Sequence, residues 1–155
     1  MFAIACQKPG AKIEEVEMSI DDLWNERFNH LPRRKAKRRQ VFYRAFPQLV
    51  RTVLAGKNYT LGSIQEAAKT EYWEFIRSYR NSWLKDPDSY KTRFEMMSRF
   101  LIAVGLIIDI QTRGVINPLE LIVTKEGKCL YRGCQRLVIM KELGIPTARV
   151  KVVTL

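Results

Sequence analysis

Five consecutive residues near the C-terminus have the types and the spacing of an anion-binding turn: Arg132, Gly133, Cys134, Gln135 and Arg136. A glycine at the junction of a strand and a helix lets backbone N–H groups converge, and the helix N-terminus adds partial positive charge. An arginine in the first helical turn can reach back with a forked guanidinium that matches phosphate geometry. The spacing predicts a phosphate site, but it is equally compatible with an ordinary strand-to-helix turn that carries a surface arginine.

Cys134 is the candidate nucleophile within this turn. A thiol at a helix N-terminus, between Arg132 and Arg136, is expected to favour the reactive thiolate form. The alternative is that Cys134 is a small residue tolerated in a tight turn, with no chemical role.

The second candidate site is a run of basic residues in the first third of the chain. Between Arg27 and Lys57 there are ten basic residues and no acidic one, so most of the net charge of +11 lies there. Such a field attracts polyanions, of which nucleic acid is the commonest in a cell. The residues expected to contact nucleic acid, DNA rather than RNA, are Arg33, Arg34, Lys35, Lys37, Arg38, Arg39 and Arg44. A solvated helix face, an anionic membrane surface and an acidic partner protein are the competing explanations.

The composition narrows the class of protein. Three cysteines in irregular positions and one histidine offer neither a disulfide framework nor a set of metal ligands, so no metal site is predicted and a reducing compartment is expected. The apolar run 100–110 is interrupted by Asp109 and is too short to span a membrane, and the apolar start is too short for a signal peptide. We therefore expect a cytoplasmic protein that does not enter a membrane.

The spacing of the hydrophobic residues predicts which helices and strands carry these candidate site residues. Apolar residues at three- and four-residue steps predict helices over 33–54, from about 63 to before 86, and from Asp88 or Ser89 towards Gly114. Pro47 is expected to kink the first of them. Ser19 is expected to cap a short helix through residue 28, after a strand or extended arm over 1–18. After Gly114, short apolar runs predict strands over 119–124, 128–131 and 148–153 around a helix over 135–143.

This order of elements predicts an α+β fold. A helical, basic N-terminal region over residues 1–96 precedes a small core over 97–155. Both this boundary and the short mixed sheet of the core are what the resemblance of residues 97–155 to a known superfamily implies.

The predicted core resembles the shared core of ParB N-terminal domains and sulfiredoxins. The stretch from Gln111 through Gly114 to Pro118 is similar to the helix-Gly-x-x-x-Pro entry of ParB domains, and residues 133–136 stand where that family has Gly-Glu-Arg-Arg. Residues 133–136 and the segment 145–153 are also similar to the sulfiredoxin Gly-Cys-His-Arg motif and the strand that follows, and Cys134 matches the sulfiredoxin catalytic cysteine. The resemblance implies a nucleoside triphosphate, CTP or ATP, with Mg²⁺, bound at Arg132, Gly133, Cys134, Gln135 and Arg136.

The sequence also departs from both families. Arg132 replaces the first glycine and Gln135 the histidine of the sulfiredoxin motif, whereas Cys134 and Gln135 replace a glutamate and an arginine of the ParB motif. These departures favour the fold and the phosphate-facing turn over catalysis.

Together these observations predict a small ParB-like protein of viral or mobile-element style that binds a nucleotide or phosphate and DNA. One alternative is a sulfiredoxin-like or other nucleotide-dependent phosphoryl-transfer enzyme, or a nuclease, that uses Cys134. Another is a structural component of an assembly that contains nucleic acid. A homo-oligomer is compatible with each of the three.

Overall fold

The computed structural model describes residues 9–28, 33–56, 69–80 and 89–155. They divide into two compact units. The first unit, called the sheet unit, takes the described residues up to Ala36 together with Val115–Leu155. The second, called the helical unit, takes those within Lys37–Gly114.

The sheet unit is built on a four-stranded mixed sheet. Its strands are β1 (Lys12–Ser19), β2 (Leu119–Thr124), β3 (Gly127–Arg132) and β4 (Thr147–Thr154), in the spatial order β1-β4-β2-β3. The central strands β4 and β2 are parallel, and each edge strand pairs antiparallel with its neighbour. The predicted α+β fold, with helices ahead of a small mixed sheet, is confirmed.

Two helices, α1 (Ile20–Asn25) and α5 (Cys134–Glu142), supply apolar side chains to the core on one face of this sheet. Alternate residues of the central strands point into that core, because successive side chains of a strand face opposite sides. The buried residues of this core are Ile20, Leu23, Leu119, Leu121, Leu130, Leu137, Met140, Ala148, Val150 and Val152. Ser19 caps α1 as predicted, since its Oγ accepts a hydrogen bond of 3.0 Å from Asp22 N, and a 3₁₀ turn (Glu26–Phe28) follows the helix.

β1, early in the sequence, pairs with β4, the last strand. It pairs with β4 along its whole length, and Glu15 and Glu17 lie opposite Lys151 and Arg149. Such opposite charges across two strands favour this register. The division of the chain therefore differs from the predicted boundary at residues 96 and 97, which falls inside a continuous helix of the other unit. Periodicity could not reveal the pairing, because it joins segments more than 100 residues apart in the sequence.

The helical unit contains most of α2 (Arg33–Ala55), the short α3 (Glu71–Phe75), a π turn (Ile76–Arg80) and α4 (Tyr90–Arg113). Its core is rich in aromatic rings. Phe46 and Tyr72 have ring centroids 4.9 Å apart, and Trp73 meets Phe100 edge-on at 5.4 Å. Such contacts add to the burial energy of the rings.

The boundaries of α2 and α4 agree with the predicted helices. α2 continues through Pro47, at which we expected a kink. Ser89 caps the start of α4, since its Oγ accepts from Thr92 N at 3.2 Å, and Gly114 caps its end with a φ of 77°, which suits a glycine. The third predicted helix, which starts near residue 63, begins outside the described residues, and α3 with the π turn is its described part.

Candidate functional site

The turn between β3 and α5 requires the glycine that the sequence places there. Gly133 has a φ of 108° and precedes the first residue of α5. A Cβ atom on Gly133 would lie 2.2 Å from Leu119 Cδ2, well inside van der Waals contact. The turn therefore places its backbone directly against the buried side chain of Leu119 at the start of β2.

Arg136 is held by backbone carbonyl groups of its own unit. Its Nη1 donates hydrogen bonds to Asn117 O at 2.7 Å and to Pro118 O at 2.9 Å. Arg149, on β4, donates to Ile116 O of the same segment. Two arginines thus fix three consecutive carbonyls at the entry to β2, so Nη1 of Arg136 points to the protein backbone rather than away from it.

A carboxylate that the sequence reasoning missed lies within this turn. Glu120 Oε2 is 3.5 Å from Arg132 Nε, and its side chain is 19% exposed. Burial lowers the pKa of Arg136, and the nearby Glu120, followed by Cys134, acts in the opposite direction. The positive charge of the turn is therefore partly balanced by the protein itself, which weakens its attraction for an anion.

A β-bulge brings Glu120 and Arg132 together. The tight turn after Thr124 pairs Leu121 with Leu130, and an unbroken ladder would then place Tyr131 opposite Glu120. The register instead shifts by one residue, so Arg132 lies opposite Glu120. The hairpin was visible in the sequence, whereas the shift depends on packing that periodicity does not record.

Cys134 and Gln135 occupy the first turn of α5, and both are half-buried. Cys134 packs against the core of the sheet unit, together with residues such as Val115 and Ile145. Such a contact is expected if Cys134 is a small residue that packs in a tight turn and has no chemical role. The predicted phosphate-binding residues are thus adjacent in space, with Arg136 engaged by carbonyls and Arg132 by Glu120.

The second candidate site is the N-terminal half of α2. Arg33, Arg34 and Lys35 form the first turn of this helix. None of the four residues of the following turn, 37–40, is buried: Lys37, Arg38 and Gln40 are exposed, and Arg39 is half-buried. We call residues 37–40 the basic turn. An amphipathic helix normally buries one side of every turn, so this turn has no core-facing side.

Further along α2 the basic residues keep to one side. Lys37, Arg44 and Arg51 are exposed and seven residues apart, whereas Phe46 and Leu49 are fully buried. Seven residues are almost two helical turns, so the three cations follow one face at intervals of about 10.5 Å. Arg44 pairs with Glu71 at 3.3 Å, between side chains that are both more than half exposed. Such an exposed pair contributes little to stability.

No protein-family model, no curated protein and no solved structure matches this chain. The resemblance to ParB domains and sulfiredoxins therefore stays a prediction. Within the described residues, no helix is long and apolar enough to cross a membrane. In the same ranges no group of three or more His, Cys, Asp or Glu side chains is placed to hold a metal ion.

Proposed function

We propose that the protein binds nucleic acid through the N-terminal half of α2. The observation that carries this proposal is the basic turn, in which three cations of one helical turn have no apolar side to bury. A helix face that served only for solubility would alternate charges of both signs, but the whole stretch between Arg27 and Lys57 lacks an acidic residue. The partial positive charge at the start of α2 adds to the same field.

Duplex DNA is the form of nucleic acid that suits this element best. The major groove of B-form DNA is about 12 Å wide and admits an α-helix. The corresponding groove of an RNA duplex is too deep and narrow for side chains to read. Lys37, Arg44 and Arg51 would contact phosphates along one side of the helix, while Arg38 would reach the other side.

The test is DNA binding by a variant that removes two charges of the basic turn, Lys37→Ala with Arg38→Ala. The matched control, Lys125→Ala with Lys128→Ala, removes two exposed cations of the sheet unit. Fluorescence polarisation with a labelled duplex should show about a tenfold or greater loss of affinity in the first variant, equivalent to about 1.4 kcal/mol, and a much smaller loss in the control. Equal losses would mean that only the total charge matters, and the proposal would fail.

A nucleotide at the turn from Arg132 to Arg136 is the second candidate function. It is favoured by Gly133, whose positive φ opens a nine-residue helix with its first N–H groups directed at the turn. It is opposed by Glu120 and by the carbonyl partners of Arg136. A thermal-shift panel of ATP, CTP, GTP and ADP, with and without Mg²⁺, tests it, because a ligand at a hundred times its Kd adds about 2.7 kcal/mol of apparent stability.

The enzyme alternative requires Cys134 to act as the nucleophile. If the protein transferred a phosphoryl group through this thiol, Cys134→Ser would abolish Mg²⁺-dependent nucleotide turnover while leaving nucleotide binding intact. We expect no turnover in the unaltered protein, because Cys134 packs against the core. Turnover that vanishes only in Cys134→Ser would establish the enzyme instead.

A further inference from the structure

α4 has an apolar row on the side that faces away from the core of its own unit. Tyr90, Phe94, Met97 and Leu101 are 85%, 65%, 42% and 44% exposed. The opposite side of the helix is buried, and its core residues are Thr92, Met96, Phe100, Ala103, Val104, Ile107 and Ile110. Single exposed apolar residues are ordinary, whereas a continuous row of them marks an interaction surface.

The spacing of this row is that of a helix-to-helix seam. Its members are four, three and four residues apart, which is the alternation of the a and d positions of a coiled coil. We call these four residues the apolar seam. Ile102 is the most exposed aliphatic residue of α4, at 69%, but it lies about 100° around the helix from Leu101 and so off the seam.

Gly105 lies beside the seam, four residues after Leu101. It is exposed, and a Cβ atom built on it would meet nothing within 4 Å. Glycine is a poor helix former, so its place in the middle of a long helix calls for a packing reason. A missing side chain next to an apolar row lets another helix approach closely.

The charges beside the seam indicate which helix packs against it. Lys91 and Asp109 are both on α4 and 18 residues apart, which is five helical turns, so they lie on the same flank of the seam. In an antiparallel pair of α4 helices centred near Leu101, Lys91 of one chain lies close to Asp109 of the other. In a parallel pair, Lys91 of one chain and Asp109 of the other would lie about 27 Å apart along the helix axis and could not form an ion pair. Asp109 already accepts from Arg113 Nε through one carboxylate oxygen, Oδ1, and its second oxygen can accept from a lysine.

We infer that the apolar seam docks against the same surface of a second copy of this chain, with the two α4 helices antiparallel. The contact is isologous, because each copy presents the same surface and each Lys91 faces the other copy's Asp109. The seam and Gly105 span about 23 Å at 1.5 Å per residue, which favours a dimer that dissociates on dilution rather than a permanent one.

Sedimentation velocity of the full chain over a range of concentrations, at physiological salt and without nucleic acid, tests this inference. We expect a monomer–dimer equilibrium in the unaltered protein. Leu101→Glu should weaken dimerisation at least tenfold, because it places two carboxylates together at the two-fold axis. Ile102→Glu is the matched control, with the same charge on the neighbouring and more exposed residue, and it should weaken dimerisation much less because Ile102 lies on the charged flank and not in the seam.

The orientation is tested by exchanging the flanking charges. Lys91→Glu and Asp109→Lys should each weaken the dimer, and the double variant should restore much of the loss. Circular dichroism must show the same helix content in all variants. A monomer at every concentration would overturn the inference, as would equal effects of Leu101→Glu and Ile102→Glu, and so would a monomer whose seam binds lipid vesicles instead. Because no nucleic acid is present, failure here leaves the proposed DNA binding untouched.

Discussion

At the scale of single residues, the turn from Arg132 to Arg136 shows how one sequence pattern can serve either binding or architecture. The sequence predicts Arg136 as a phosphate ligand, yet its Nη1 donates to two carbonyls at the entry to β2. Charge-assisted hydrogen bonds of this kind contribute about 1.5–3 kcal/mol each to whatever they hold together. In this protein they fix the segment that leads from the end of α4 into the central sheet.

Arg136→Ala is therefore expected to destabilise the fold whether or not a nucleotide is present. The carbonyls of Asn117 and Pro118 lose a charged donor, so urea unfolding should show a loss of about 1–3 kcal/mol. Arg132→Ala is the control, because Arg132 is 60% exposed in its pair with Glu120 and should cost less than about 1 kcal/mol. If the two variants were equally stable, the carbonyl contacts of Arg136 would have no structural importance.

Gly133 gives a second prediction at this scale. Gly133→Ala adds both the strain of a positive φ and a clash with Leu119, whereas Gly144→Ala, at a φ of 70° with no atom near its Cβ, adds strain alone. A residue other than glycine with positive φ costs about 1–2 kcal/mol, and a forced core shift adds about 1–3 kcal/mol. Chemical denaturation should rank Gly133→Ala as clearly less stable than Gly144→Ala. Equal losses would show that Leu119 moves aside freely.

At the scale of elements, the parts that sequence reasoning found are those with local signals. The helical period of α2 and α4, the caps at Ser19 and Ser89 and the hairpin of β2 and β3 each depend on residues a few positions apart. The parts that it missed depend on distant residues. The pairing of β1 with β4, the bulge that brings Arg132 opposite Glu120, and the carbonyl partners of Arg136 have no local signal.

The cap of α4 provides the prediction at this scale. Ser89 Oγ accepts from Thr92 N and donates to Thr92 Oγ1, whose side chain is buried. Ser89→Ala should lower the free energy of unfolding by about 1 kcal/mol, the usual value of an N-cap. Ser98→Ala, within the same helix and half-buried, should be close to neutral because alanine is the better helix former. Thermal unfolding followed by circular dichroism measures both. A neutral Ser89→Ala would mean that packing alone fixes the start of α4.

At the scale of the whole molecule, the residues that carry most of the charge differ from the residues that form the core. Most of the net charge of +11 belongs to one stretch of the chain, and among the residues of that stretch whose burial the structure describes, the buried ones are apolar or aromatic. Basic side chains that are not part of a core can bind an anionic partner without any loss of packing. The same molecule places an uncharged row on α4, so its charged and apolar surfaces are carried by different helices.

The salt dependence of DNA binding tests the central claim most directly. Each phosphate neutralised by a cation contributes about 0.9 to the slope of log K against log salt concentration. Lys37→Ala with Arg38→Ala should therefore reduce the magnitude of that slope by about two, because two contacts are lost. The control, Lys125→Ala with Lys128→Ala, should keep the slope of the unaltered protein. Identical slopes for all three proteins, or no DNA binding at low salt, would contradict the assignment of α2 as a nucleic-acid-binding helix.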